Sequence, residues 1–171
     1  MAEKSADDEK MITLKSNDNQ TFQVTTKVAM ISYTIKTLLE SCPADDEPVP
    51  LPKVDGYILG IIIEWAKHHQ DDKPLTPEEE EEEEKERRTD NIPQFDQDML
   101  NVSQRELYEI IMAANYLDIK GLLDSCCKTI ANIIKGKTPE QLKLAFPPLD
   151  LETPLSSFIK KDQTIKSTIS A

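Results

Sequence analysis

The stretch Ala113–Phe146, AANYLDIKGLLDSCCKTIANIIKGKTPEQLKLAF, decides how the rest of the chain is read. Its middle carries apolar residues at Ile119, Leu122, Leu123, Cys126, Cys127, Ile130, Ala131, Ile133 and Ile134. At ~100° per residue these cover roughly half the circumference of a helix, wider than one docking stripe. Gly136 supplies a C-terminal cap. Thr138-Pro139-Glu140-Gln141 is a capping box with proline at the first helical position. It opens a short helix that Pro147 and Pro148 stop. Monomers seldom expose a large contiguous apolar patch, so the surplus surface needs a cover. Two covers are open: a partner's helices docked in a groove, or the tail 147–171. That tail carries Leu149, Leu151, Leu155, Phe158, Ile159, Ile165 and Ile169.

Upstream, Ser103-Gln104-Arg105-Glu106 is another capping box. It starts a helix striped by Leu107, Ile110, Ile111, Ala114 and Leu117, which breaks near Asp118 and Gly121. Further back, Asp55 opens a helix running to about His69. Its apolar positions Tyr57, Ile58, Leu59, Ile61, Ile62, Ile63, Trp65 and Ala66 nearly encircle the axis. Such a helix belongs at the centre of a small fold. Before it, VPLP alternates Val49 and Leu51 with prolines; proline cannot donate to a ladder, so only a short edge strand is open to it. Residues 27–41 read as one helix capped by Thr25 or Thr26, with Val28, Ile31, Ile35, Leu38 and Leu39 as its stripe. MITLKS and TFQVT alternate on either side of turn residues and read as a hairpin.

Residues 71–90 break the pattern. DDKPLTPEEEEEEEKERRTD holds 11 acidic and 4 basic residues, a net of −7 out of −12 for the chain. Like-charge runs with prolines do not pack, so 73–90 is expected to be a disordered insert. The element order is that of an α+β domain, mostly helical, with a small three-stranded sheet. The expected divisions are a disordered tail at 1–10, a first half at 11–72, the insert, a second half at 91–134, a C-terminal helix at 135–146 and a tail at 147–171.

The totals exclude several functions. A net charge of −12 with no basic footprint argues against nucleic acid. The longest apolar run, Tyr57 to Ile63, is far short of a membrane span. The charged start MAEKSADDEK has no apolar core of a secretory signal. Cys42, Cys126 and Cys127 are an odd set with two adjacent, a poor disulfide framework and a reading of reduced thiols. The expected location is cytoplasmic and nuclear. His68 and His69 are the only histidines, and helical neighbours point ~100° apart, which disfavours a shared metal. No GxSxG, Walker, HExxH or CxxC motif occurs, and a nucleophile–base pair is hard to build. The sequence therefore predicts no catalytic residue, metal or cofactor.

Several long motifs in one order resemble the Skp family of SCF ubiquitin-ligase adaptors: SYTIKTLLE, VPLPKVDGYIL, EWAKHHQDD, KERRTDNIP, FDQDML, AANYLDIKGLLD and CKTIANIIKGKTPEQ. The resemblance runs from about Met11 to Phe146. It implies a BTB/POZ-type fold with appended C-terminal F-box-binding helices. It implies a bridge between a cullin scaffold and F-box substrate receptors, and indirect contact with a RING protein and an E2. Asn115 and Tyr116 match the family's cullin-facing pair. Leu107 and Tyr108 match a Leu-Phe pair and are assigned to F-box binding. So are Leu123, Cys127, Ile130 and Ile134 on one helix, and Leu142 and Phe146 on the next. The sequence departs from the family at Phe95, where tryptophan is usual. It departs again after Phe146, where the family's acidic helix and terminal Asn-x-Trp give way to PPLDLETPLSSFIKKDQTIKSTISA. Alternative readings are a cullin-binding decoy with altered F-box binding, an elongin-C-like adaptor, and an acidic chaperone-like protein using the glutamate run.

Overall fold

A computed structural model describes residues 10–41, 47–72, 76–85 and 92–148. Strands β1 (Met11–Ser16) and β2 (Thr21–Thr25) form an antiparallel hairpin, with Ile12 opposite Val24 and Leu14 opposite Phe22. Strand β3 (Val49–Leu51) pairs in parallel with the other side of β1, giving the order β2-β1-β3. The proline-flanked strand lies at an edge, where a missing N–H costs nothing. Ile12, Leu14, Val24, Val49 and Leu51 turn one face of the sheet into the core.

The helix expected over 27–41 is two helices, a correction to the sequence reading. The first is α1 (Thr26–Ala29), capped by the Thr25 side chain. The second is α2 (Tyr33–Ser41). Between them Ser32 is buried; its hydroxyl donates to the Leu117 carbonyl at 2.5 Å and accepts from the Ile35 N–H at 3.2 Å. A serine drawn to a carbonyl 85 residues away interrupts the ladder. Leu38 of the expected stripe is exposed, while Val28 and Ile35 are buried.

Helix α3 (Gly56–His69) begins at Asp55, whose side chain accepts from the Tyr57 N–H at 3.0 Å. It buries Ile58, Leu59, Ile62, Ile63, Trp65 and Ala66 and is the axis about which the core is built. Within the acidic segment, Pro77–Lys85 forms helix α4, where a disordered run was expected across 73–90; residues 73–75 and 86–90 of that reading lie outside the described residues. Thr76 caps it: its hydroxyl and N–H both donate to Glu79 Oε2, and the Glu79 N–H returns to the Thr76 hydroxyl. The capping box satisfies the first turn, and acidic residues there favour the helix dipole. The readings of 1–9 and of 149–171 lie outside the described residues.

Helix α5 (Gln94–Met99) is short. Helix α6 (Gln104–Leu117) has the expected Ser103–Glu106 capping box and ends at Asp118 in a left-handed conformation, φ 51°. Helix α7 (Lys120–Ile134) follows at once. Gly136, φ 74°, turns the chain beyond it, and α8 (Pro139–Ala145) starts from the Thr138–Gln141 capping box. Helices α3, α6 and α7 enclose a core that includes Leu59, Ile110, Ala114, Leu117, Leu122 and Cys126.

Candidate partner-binding surfaces

The wide arc on α7 divides into two parts. Ile119, Leu122 and Cys126 are fully buried. Burial pushes the Cys126 thiol up to about 12, with the neighbouring Cys127 and Asp96 adding to the rise, so it is inert packing. Leu123, Ile130 and Ile133 lie half-buried at the core's edge. Cys127 and Ile134 are exposed. The surplus is therefore a ledge, Leu123–Cys127–Ile130–Ile134, spaced by three or four residues along one face. Helix α8 has no buried residue; Leu142 and Phe146 are half-buried and Leu144 is 83% exposed. Two consecutive helices thus present apolar groups that the described residues do not cover.

A second surface lies on α6. Its inner face is Leu107, Ile110, Ala113, Ala114 and Leu117. Leu107, assigned from the sequence to partner contact, is 4% exposed and belongs to the core; this assignment is corrected. Tyr108, Met112, Asn115 and Tyr116 recur at helical spacing on the outer side, with Met112 and Asn115 exposed and the two tyrosines half-buried. Tyr108 thus shares the outer side of α6 with the Asn115–Tyr116 pair. The Thr34 hydroxyl donates to the Tyr116 carbonyl at 3.0 Å, which ties α2 to this surface. Lys53 Nζ stands 5.6 Å from the centre of the Tyr116 ring. Tyr33 of α2 is 63% exposed.

Between the core and the ledge lies a feature that the sequence reading missed. Asp96 is 1% exposed, the one charged side chain in the core among the described residues. Its Oδ2 accepts from Trp65 Nε1 at 3.1 Å and from the Ser125 hydroxyl at 2.6 Å. Its Oδ1 meets His69 Nε2 at 2.8 Å. The other ring nitrogen, Nδ1, meets Asp72. Burial pushes the Asp96 carboxyl up, but the bonds from Ser125, His69 and Trp65 outweigh it and hold it below its ordinary value. Burial pushes His69 down, and the bonds to Asp72 and Asp96 outweigh it and raise the ring above its ordinary value. His69 stacks on Trp65 with centroids 4.2 Å apart, and His68 stacks on Phe95 at 3.8 Å. The spacing of Trp65 and His69, four residues apart on a buried helix, was the available signal: a buried indole N–H needs an acceptor. Among the described residues no group of three or more His, Cys, Asp or Glu could hold a metal ion. Among the same residues no helix is long and apolar enough to cross a membrane.

The architecture is an α+β fold of the BTB/POZ type, extended by helices that leave an apolar ledge. Residues 10–71 match the family model "Skp1 family, tetramerisation domain" and residues 120–146 match "Skp1 family, dimerisation domain". The chain belongs to the Skp1 family. It is 47% identical over 135 residues to the E3 ubiquitin ligase complex SCF subunit sconC of Talaromyces stipitatus, a match covering 79% of this chain and 82% of that protein. The sconC subunit of Talaromyces marneffei matches equally, and that of Arthroderma benhamiae is 44% identical over 79% of this chain and 81% of its own.

Proposed function

We propose that this chain is a non-enzymatic adaptor of an SCF ubiquitin ligase, holding a cullin on one surface and an F-box substrate receptor on another. The observation that carries this reading is the ledge: α7 is anchored in the core by Leu122 and Cys126 yet leaves Leu123, Cys127, Ile130 and Ile134 at its rim, continued by Leu142 and Phe146. An apolar ledge on two consecutive helices suits the apolar face of a partner's helices. The F-box would dock there. The cullin would dock on the α6 strip of Tyr108, Asn115 and Tyr116. A bridge of this kind does no chemistry; it raises the effective concentration of substrate near an E2 carried by the RING protein. The exposed thiol of Cys127 and the free Cys126 fit work in the cytoplasm and nucleus, which imaging of a tagged chain in both compartments checks.

Calorimetric titration with a purified F-box domain and, separately, with the N-terminal domain of a cullin tests the reading. Ile134→Asp should weaken F-box binding by roughly 30-fold or more, the scale of a lost hot spot, and leave cullin binding intact. Tyr116→Ala should do the reverse. Loss of both partners in both variants, or of neither, rejects two separate docking surfaces. If the cullin binds and no F-box does, the chain is the cullin-occupying decoy.

A further inference from the structure

We propose that Asp96 is a positioning residue for α7, and that its grip on the receptor-facing helix is set by the protonation of His69. The proposal rests on the adaptor reading above for its consequence, but not for its mechanism. The carboxylate joins three elements at one point. Trp65 and His69 come from the end of α3, Asp96 from α5, and Ser125 from the middle of α7. Ser125 is two residues from Leu123 and from Cys127, and lies on the inner side of the same helix. It is the side chain through which α7 reaches the carboxylate. The seat of the ledge therefore depends on where Asp96 stands.

His69 lies between two carboxylates, with Nε2 on Asp96 and Nδ1 on Asp72. A neutral imidazole carries one N–H and donates to only one of them; the imidazolium donates to both. The geometry with both contacts formed is therefore that of the charged ring. Other groups face this ring as well. His68, on the same helix, approaches edge-on at 5.0 Å, and Trp65 and Phe95 flank it. From α7, Ser125 meets the shared carboxylate, and the high-pKa Cys126 thiol stays neutral. On deprotonation one contact loses its proton, and the buried Asp96 loses its counter-charge. A lone buried carboxylate draws harder on its remaining donors, Trp65 and Ser125, so α7 feels the change.

The test is a pH titration of the full chain by NMR from pH 5.5 to 8.5, on wild type, Ser125→Ala and His69→Gln, with F-box affinity measured across the same range. In wild type the amide shifts of Ser125 to Lys128 should follow the midpoint of the His69 ring protons. F-box affinity should change by roughly three- to five-fold through that midpoint, the scale of one hydrogen bond. In Ser125→Ala the α7 amides should no longer follow the ring. In His69→Gln both profiles should be flat over this range. Amides of α7 that ignore the His69 midpoint in wild type overturn the proposal. So does Ser125→Ala that tracks the ring as wild type does. Amides that follow His69 in a chain that binds no F-box domain uphold the coupling and reject the adaptor reading instead.

Discussion

Gly121 sits beneath the Trp65 ring so closely that a Cβ on it would stand 3.0 Å from Cη2 and 3.5 Å from Cζ2. Glycine opens α7 here because the first turn must pass a buried indole. The ring cannot slide away freely, since its N–H is committed to Asp96. Gly121→Ala sets two effects against each other. Alanine favours a helix by at most ~1 kcal/mol over glycine, and less in a first turn. Overpacking against a fixed ring costs about 1–3 kcal/mol. The clash should win, with a net loss of about 1 kcal/mol in urea denaturation. An alanine variant more stable than wild type would show that the ring has room to move.

The Asp96–His69 pair gives the stability a pH signature. His69 is raised above 6.5 in the fold, so its contribution is complete below 6.5 and is lost as pH rises through the raised value. Asp96 is held below 3.8, so its contribution is present above 3.8 and is lost as pH falls through the lowered value. The network is therefore most stabilising between about pH 4 and 6.5. The difference in unfolding free energy between wild type and His69→Gln should shrink as pH is raised from 6 to 9. A difference that grows over that range would mean the ring is neutral in the fold.

This pair also marks what the sequence could and could not carry. The edge strand at Val49–Leu51 was legible because proline forbids a ladder partner on one side. Three capping boxes, at Thr76, Ser103 and Thr138, use local bonds; the two flanking apolar runs were read, while the glutamate run hid the first. The break between α1 and α2 was not legible, because Ser32 answers to Leu117 across the fold. Asp96 was hidden for the same reason. It and Asp98 look alike in FDQDML, and only donors from α3 and α7 bury one and leave the other exposed. The candidate surface was legible as an excess of apolar residues on α7, but periodicity alone could not divide core from ledge there; on α6 periodicity put Leu107 in the inner stripe, and only the family resemblance moved it to a partner surface.

The neighbours Leu122 and Leu123 separate those roles by experiment. Leu122 is 0% exposed and Leu123 half-buried. Leu122→Ala leaves a cavity in the core and should cost about 2–5 kcal/mol. Leu123→Ala should cost well under half as much in urea denaturation while weakening F-box binding. Equal losses of stability would place Leu123 in the core and remove it from the ledge.

Helix α8 depends on its ends more than on its sides. It spans seven residues, Pro139–Ala145, and buries none. An isolated helix of that length is unstable in water. What holds it is local: the Thr138 hydroxyl accepts from the Gln141 N–H at 3.3 Å, Gln141 Oε1 accepts from the Thr138 N–H at 3.0 Å, and Pro139 fixes the first turn. Thr138→Ala removes about 1 kcal/mol from a helix with little else to lose. The melting temperature should hardly move, because no core contact is touched. The amides of Leu142 to Phe146 should lose hydrogen-exchange protection, and F-box affinity should fall because Leu142 and Phe146 are no longer presented together. A drop in melting temperature of several degrees with α8 still protected would mean that α8 is part of the cooperative core and not a local extension of it.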